Sequence, residues 1–177
     1  MNNNAFYKET EHLILRTPTS GDAEVLARQR STDFVMRYNL YRKCDAEQIE
    51  KELSLYEHIM LLSRDSGECV GCVSVREDDL RYHIDSKALH AWLVEDMAHK
   101  GLMKEALDVI IEDVFSSGAC ERIAVQILSE NRASIRLAEK LGFEREGYLK
   151  RALKNADGRV FDVVLYSLDK ETYQKNK

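Results

Sequence analysis

The residues best suited to chemistry surround a glycine between an apolar segment and a helical pattern. The apolar segment covers residues 88–94, and apolar positions recur at helical spacing from Gly101 to Phe115. The start of such a helix offers unpaired backbone N–H groups and the positive end of the helix dipole, which suit a phosphate. Gly101 would let the backbone approach a ligand closely, and Lys100 and Lys104 would add positive charge. Many similar joints bind nothing, and both lysines are also compatible with solvated surface positions.

Two of the four cysteines, Cys69 and Cys72, form a C-x-x-C pair, the spacing of many zinc and redox sites. Their valine-rich flanks indicate a strand, in which an offset of three residues places the sulfurs on opposite faces. The sequence has no second Cys or His pair to complete a four-ligand site. We therefore interpret Cys69 and Cys72 as packing residues and expect no metal. We interpret all four cysteines, including Cys44 and Cys120, as reduced thiols.

The bulk properties favour one cytoplasmic domain. The chain has 177 residues with a formal net charge of −5, which argues against a general nucleic-acid binder. No apolar run approaches the roughly 20 residues that cross a bilayer. The first ten residues, MNNNAFYKET, lack the basic and apolar regions of a secretion signal. We expect a single domain over residues 1–177, in which residues 1–10 are loosely ordered.

The hydrophobic pattern predicts an α/β (α+β) domain with the element order β-α-α-β-β-β-α-β-α-β-β. It places helices at residues 23–30, 46–60, 101–115 and 133–141. It places strands at residues 13–16, 60–63, 68–76, 88–94, 122–128, 143–153 and 160–168. Turns are expected at residues 65–67 and 155–158, and residues 78–87 should form a hairpin or loop. One mixed sheet flanked by helices is the expected architecture.

The segment from Asn131 to Phe143, NRASIRLAEKLGF, resembles a known family. It matches the pattern N-x-x-S-x-x-L-x-E-K-L-G-F of the GNAT N-acetyltransferases, especially the RimJ/RimL type that acetylates the N-termini of ribosomal proteins. Gly147 and residues 157–159 and 162–168 resemble the closing hairpin of that family, and residues 13–16 resemble its opening strand. The resemblance implies the GNAT fold, a mixed and mostly antiparallel sheet with about four helices.

The resemblance also implies a site for acetyl-CoA. In the family, the strand matching Trp92 to Val94 pairs with pantetheine amides, the loop matching His99 to Lys104 wraps the pyrophosphate, and the residue matching Asn131 holds the pantetheine arm. The implied cofactor-binding residues are Trp92, Leu93, Val94, His99, Lys100, Gly101, Leu102, Met103, Lys104, Asn131 and Ser134. The loop departs from the family pattern [QR]-x-x-G-x-[GA], because Met103 stands where Gly or Ala is usual and could crowd the cofactor.

The implied reaction is direct attack of a neutral amine on the thioester carbonyl, polarised by the backbone N–H of Leu93 or Val94. Ser134 is the implied acid for the leaving thiolate, because the tyrosine that has this role in many relatives would fall at Ala138. His90 and Glu77 are candidate bases. Each has a plainer interpretation: His90 as a packed or hydrogen-bonded histidine, and Glu77 as part of a solvated acidic turn.

Further alternatives stay open at this stage. Asn131 and Ser134 are also good helix-capping residues, and Trp92 could belong to the core. The acceptor could be a protein N-terminus or a small-molecule amine, with residues 34–43 lining its pocket. The chain could instead be an acyl-CoA-binding module with little or no turnover. We expect a monomer or homodimer that binds neither nucleic acid nor membrane directly.

Overall fold

The computed structural model describes residues 5–39, 42–81, 83–118, 120–155 and 158–176. Two parts of the sequence-based predictions lie partly outside these ranges: residues 40 and 41 of the suggested acceptor segment, and residues 156 and 157 of the last turn. The chain forms two compact units. Unit 1 comprises Met1–Val75 and His90–Val109, and unit 2 comprises residues 76–89 and 110–177. The single-domain prediction stays a prediction.

Eight strands and six α-helices are described. The strands are β1 (Tyr7–Glu9), β2 (Leu13–Arg16), β3 (Glu57–Ser63), β4 (Cys69–Glu77), β5 (Ser86–Leu93), β6 (Arg122–Leu128), β7 (Glu144–Lys154) and β8 (Val160–Asp169). The helices are α1 (Ala23–Arg30), α2 (Asp33–Asn39), α3 (Ala46–Leu55), α4 (Leu102–Ser116), α5 (Arg132–Lys140) and α6 (Lys170–Lys175). The strands are hydrogen-bonded in the order β1-β2-β3-β4-β5-β6-β8-β7. The expected mixed sheet is therefore confirmed.

Unit 1 is built on antiparallel pairing of β1 with β2, β2 with β3, and β3 with β4. Helices α1, α2 and α3 supply apolar residues to one core cluster with β3, β4 and β5. Its buried members are Ala23, Leu26, Ala27, Val35, Ile49, Met60, Cys69, Cys72 and Trp92. Trp92 is 7% exposed, which agrees with the alternative interpretation of this residue as part of the core, and its role in cofactor binding stays a prediction.

The two cysteines of the C-x-x-C pair lie on the same face of the sheet, so the expectation of opposite faces was wrong. Cys72 pairs with Met60 and Cys69 pairs with Leu62 in the β3–β4 register. Met60 and Leu62 are two residues apart and share a face. The register shifts between Leu61 and Leu62, which marks a β-bulge in β4. The bulge places one extra residue between the two cysteines, so both side chains lie on the same face.

Unit 2 contains the parallel ladder β5–β6 and the antiparallel ladders β6–β8 and β8–β7. The β5–β6 register covers three pairs, from Ser86↔Arg122 to Ala88↔Ala124. Strand β6 continues four residues further, to Leu128, and is paired along its whole length with β8. The parallel ladder is thus confined to the first residues of both strands.

The main differences from the predicted elements concern one helix end, one strand and two helices. The helix predicted for residues 46–60 ends at Leu55, because Tyr56 is extended (φ −133°, ψ 155°) and Ile59 and Met60 are buried on β3. Residues 7–9, expected to be loosely ordered, form β1 by pairing with β2. Helices α2 and α6 were not predicted. Both are short and lack a long periodic pattern, so their sequences carry little helical signal.

Candidate active site

The end of β5 in unit 1 presents one of the two amides expected to polarise a thioester. The N–H of Val94 donates to the carbonyl of Val70 on β4 at 2.9 Å, so this group is already engaged. Neighbouring N–H groups along an extended strand point to opposite edges. The N–H of Leu93 therefore points away from β4. Of the two predicted amides, the geometry favours Leu93.

Gly71 on β4 permits the backbone of β5 to lie unusually close. A Cβ at this position would fall 2.4 Å from the Trp92 carbonyl oxygen and 2.8 Å from Leu93 Cδ2. Real Cβ atoms essentially never come within 3.0 Å of such a group. β5 can thus follow its path at Trp92 and Leu93 only because residue 71 is a glycine. The sequence alone did not reveal this role of Gly71.

The connection after β5 turns tightly into α4. A 3₁₀ turn spans Glu95–Met97, and His99 (φ 62°) and Gly101 (φ 84°) both adopt the left-handed conformation. The Glu105 N–H donates to the Gly101 carbonyl at 3.1 Å and is the first α4 amide described to bond back along the helix. The preceding amides, those of residues 102–104, therefore lie at the open, positive end of the helix dipole. This arrangement fits an anionic group such as a pyrophosphate.

The side chains of this loop are mostly turned to solvent. His99, Lys100 and Lys104 are exposed, and Met103 is half-buried. Lys104 Nζ donates to Asp108 at 2.7 Å, whereas Lys100 has no ion pair among the described residues. Lys100 is therefore the cation of this loop that remains available for a phosphate.

Glu105, in the first turn of α4, ties the helix start to the N-terminal part of unit 1. Its carboxylate accepts the His12 backbone N–H at 2.8 Å and lies 2.9 Å from His12 Nδ1. Burial opposes ionisation, but hydrogen bonds from Thr10 and His12 outweigh it, and the pKa of Glu105 is lowered. The same hydrogen bond with Glu105 raises the pKa of His12. The two residues lie 93 positions apart, so no local pattern could have revealed this contact.

Asn131 and Ser134 lie in unit 2, at the start of α5. Asn131 Oδ1 accepts the backbone N–H of Ser134 at 3.1 Å, so the capping role is confirmed. The cap uses the amide oxygen and leaves the Asn131 NH₂ group for another acceptor. Ser134 is half-buried, and its hydroxyl has no partner among the described residues. Ala138, the position of the absent tyrosine, is buried at 5% exposure.

The two predicted bases differ in environment. Glu77 is 77% exposed and pairs with the Lys87 ammonium in unit 2, which agrees with the plainer interpretation of a solvated residue. His90, in unit 1, is exposed on β5, so it is not a packed core histidine. The segment suggested as the acceptor pocket is partly core: Val35 is 1% exposed, and Phe34 packs against the unit 1 core cluster.

A polar cavity that the sequence analysis missed lies within unit 1. Its volume is about 20 Å³, and apolar residues of α1 and α3 form part of its wall, with Trp92 on another side. Its polar lining consists of Arg30, Glu52, His58 and Ser74. Three of these are nearly buried, with exposures of 7% for Arg30, 8% for His58 and 5% for Ser74.

The described residues offer neither a metal centre nor a helix that could span a bilayer. No group of three or more His, Cys, Asp or Glu side chains there is placed to hold a metal ion. No helix there combines the length and apolar character needed to cross a bilayer.

Comparisons with known proteins agree with this geometry. Residues 12–144 match the family described as acetyltransferase (GNAT) domain. The N-acetyltransferase YoaA of Bacillus subtilis, described as uncharacterized, is 28% identical over an alignment of 181 positions that covers 92% of this chain and 96% of YoaA. The structure of ribosomal-protein-S5-alanine acetyltransferase from Vibrio fischeri has a TM-score of 0.83 at 22% identity, covering 95% of this chain and 98% of that chain.

A second solved structure shares the same fold. Spermidine N-acetyltransferase from Vibrio cholerae, solved in complex with CoA and spermine, has a TM-score of 0.81 at 17% identity, covering 93% of this chain and 99% of that chain. The eight-stranded mixed sheet and six helices are those of the GNAT fold. Since the matched region spans most of the sequence and the fold agrees, the chain belongs to the GNAT acetyltransferase family.

Proposed function

We propose that this protein transfers the acetyl group of acetyl-CoA directly to a primary amine, as an N-acetyltransferase of the RimJ/RimL type. The proposal rests mainly on the backbone N–H groups at the end of β5 and at the start of α4. The outward-facing Leu93 N–H and the open amides of residues 102–104 occur within one short stretch of unit 1. The Asn131–Phe143 pattern supports the RimJ/RimL assignment. A cytoplasmic location stays part of the proposal.

The residues present fit the cofactor. His99 and Gly101 both have left-handed backbone conformations. Because backbone amides would bind the pyrophosphate, substitutions of loop side chains need not remove the binding groups. Apart from its chain neighbours, no atom of the described residues would lie within 4 Å of a Cβ at Gly101, so the space beside it is open. Lys100 would add one charge to the pyrophosphate. The half-buried Met103 is the departure from the family pattern that bears most directly on affinity.

The roles of individual groups follow from their chemistry. The Leu93 N–H would polarise the acetyl carbonyl, which the thioester presents as an electrophile. The NH₂ group of Asn131 would hold a pantetheine carbonyl while its oxygen caps α5. The Ser134 hydroxyl would protonate the thiolate. Glu77 and His90 remain the base candidates from the sequence, and Glu77 is the weaker because it pairs with Lys87.

Calorimetric titration with acetyl-CoA tests the cofactor site. We expect saturable binding to the wild type and weaker binding to an Asn131→Ala, Ser134→Ala double variant. An absence of heat and of any melting-temperature change at high acetyl-CoA would overturn the proposal. A release assay for the CoA thiol in the presence of amines separates the enzyme from the alternative, an acyl-CoA-binding module with little turnover.

A further inference from the structure

We propose that Glu105 and His12 are positioning residues of the acetyl-CoA site. Glu105 fastens the first turn of α4 to the connection between β1 and β2, and the imidazolium of His12 offsets the carboxylate charge, so that protonation of His12 strengthens cofactor binding. The inference rests on the proposed function, because it concerns the control of the proposed pyrophosphate loop. Neither residue is among the cofactor-binding residues that the sequence implied.

Glu105 places a negative charge at the end of α4 that is proposed to bind an anion. It directly follows the open amides of residues 102–104. A carboxylate in the first turn of a helix interacts favourably with the unpaired N–H groups and with the positive end of the dipole. A phosphate would use the same groups, so an uncompensated carboxylate there would compete with the phosphate and repel it. A positive charge beside Glu105 therefore bears on cofactor affinity.

The Glu105 carboxylate contacts the connection between β1 and β2 with both oxygens. Oε1 accepts the backbone N–H of His12 at 2.8 Å, and Oε2 lies 2.9 Å from His12 Nδ1. The side chain of Thr10 is a further hydrogen-bond partner of this carboxylate. These contacts occupy the carboxylate with groups outside α4, which leaves the amides of residues 102–104 to a ligand.

The connection that holds Glu105 is itself fixed. The Thr10 N–H donates to the Leu13 carbonyl at 2.9 Å, and the Leu13 N–H donates to Thr10 Oγ1 at 3.1 Å. Arg64 donates its backbone N–H to the His12 carbonyl and its guanidinium to the Thr10 carbonyl, both at 2.9 Å. Leu13 is fully buried on β2. Glu105 therefore links the start of α4 to a point that is tied to the sheet.

His12 is the member of this contact whose charge changes near neutral pH. Its side chain is 56% exposed, so it can exchange protons with solvent. Glu105 favours the imidazolium, and Glu11, 3.9 Å from His12 Nε2, does so as well. Asp65 acts in the same direction. All three acidic groups that face His12 thus favour its charged form.

The other charged side chains around the contact form pairs of their own. Arg64 pairs with Glu9 at 3.4 Å, and Lys104 pairs with Asp108 at 2.7 Å. Groups of these four types keep their charges from about pH 7 to about pH 9. His12 is therefore the group through which the charge of this contact depends on pH in that range.

Binding of a polyanion at the start of α4 favours the charged form of His12, so bound acetyl-CoA should raise the pKa of His12 further. By reciprocity, cofactor affinity is greatest when His12 is charged and falls as the pH rises through its raised pKa. Neutral His12 can still donate an Nδ1–H to Glu105, so the hydrogen bond stays while the compensating charge is lost. A charge in the first turn of a helix should change affinity by about two- to fivefold.

Calorimetric titration with acetyl-CoA from about pH 7 to about pH 9 tests this coupling, because the phosphates, with a second pKa of about 6, are already ionised there. His12→Asn keeps an amide N–H near the position of Nδ1 but cannot become charged. We expect the wild type to lose about two- to fivefold in affinity across this range relative to His12→Asn. His99 of the loop contributes to both profiles alike, and His83→Asn, at an exposed loop histidine, should follow the wild type.

Two substitutions of Glu105 separate its charge from its hydrogen bonds. Glu105→Gln keeps an oxygen that can accept the His12 backbone N–H, but it removes the charge. At about pH 9, where His12 of the wild type is neutral, Glu105→Gln should bind acetyl-CoA about two- to fivefold more tightly than the wild type. Glu105→Ala, which also removes the hydrogen bonds, should bind more weakly than Glu105→Gln at every pH. A purely structural role of Glu105 would not make any variant bind more tightly.

The outcomes distinguish this inference from the proposed function. Parallel pH profiles of the wild type and His12→Asn, or a Glu105→Gln variant that never binds more tightly than the wild type, would overturn the charge compensation alone. An absence of acetyl-CoA binding to the wild type at every pH would reject the proposed function together with this inference.

Discussion

Replacing Gly71 with alanine should displace the strand that carries the proposed thioester site. The new Cβ would lie 2.4 Å from the Trp92 carbonyl oxygen, whereas real Cβ atoms essentially never come within 3.0 Å of such an atom. One of the two backbones must therefore move by about 0.6 Å or more to reach even the closest contact observed. Overpacking of this kind costs roughly 1–3 kcal/mol of stability. A misplacement approaching 1 Å can reduce a catalysed rate by about 100-fold.

The test compares Gly71→Ala with Gly147→Ala, a second glycine within a strand. A Cβ on Gly147 would meet its nearest atom, Leu165 Cδ1, at 3.6 Å, an ordinary contact. We expect Gly71→Ala to lower the free energy of unfolding in denaturant titrations and to weaken acetyl-CoA binding in calorimetry, and Gly147→Ala to do neither. The reasoning is refuted if the two variants are equally stable and bind acetyl-CoA equally well.

Three further predictions address other parts of the structure. The contact between His12 and Glu105 should stabilise the fold most near about pH 5.5, where the imidazolium and the carboxylate are both charged. The stabilisation from the imidazolium is complete below the ordinary imidazole pKa of 6.5 and is lost as the pH rises through the raised pKa of His12. The difference in free energy of unfolding between wild type and Glu105→Gln should therefore shrink toward alkaline pH. A difference that stays constant with pH would contradict this. Asn131→Ala should lose about 1 kcal/mol of stability with the cap. Asn131→Asp should keep the cap but lose the NH₂ donor, so acetyl-CoA binding equal to wild type would count against the pantetheine role. Iodoacetamide should label half-buried Cys44 in the native protein well before Cys69, because burial raises the pKa of Cys69 to about 11. Equal labelling rates of the two cysteines, measured by mass spectrometry, would contradict the burial of Cys69.

Much of the architecture could be predicted because its signals are local. Helix α1 has the predicted bounds, and β6 does as well. Asp45 caps α3 by accepting the backbone N–H of Gln48 at 2.9 Å. An acidic residue with glutamine three positions later is a capping pattern that is visible in the sequence. Asn131 caps α5 in the same way. Each of these features depends on a few residues that are adjacent in the sequence.

The errors have non-local causes. The spacing of Ile59 and Met60 continues the helical pattern and extended the predicted helix to residue 60. In the structure both residues are buried in a central strand, and this packing outweighs the periodicity. The faces of Cys69 and Cys72 are set by a bulge in the pairing with β3, which the spacing of the two cysteines does not encode. Strand propensity and residue spacing alone cannot anticipate a register shift.

The proposed site shows the same division. The proposed phosphate-binding loop and the capping residues could be predicted because each occupies one short segment. The contact of Glu105 with His12 and the polar cavity around His58 join residues that are distant in sequence. The cavity residues also look like ordinary core or surface positions when they are considered one at a time. The packing of the folded chain brings the Arg30–Glu52 pair and the His58–Ser74 pair to the same cavity.

The most direct test of the central claim is amine-dependent release of the CoA thiol from acetyl-CoA. The assay would use a panel of primary amines, with a tertiary amine as the unreactive control, and mass spectrometry would quantify the acetylated amine. We predict that free thiol and acetylated amine form in equal amounts with at least one primary amine and that neither forms with the tertiary amine. Saturable acetyl-CoA binding without amine-dependent thiol release across the panel would contradict the claim and identify the protein as a binding module.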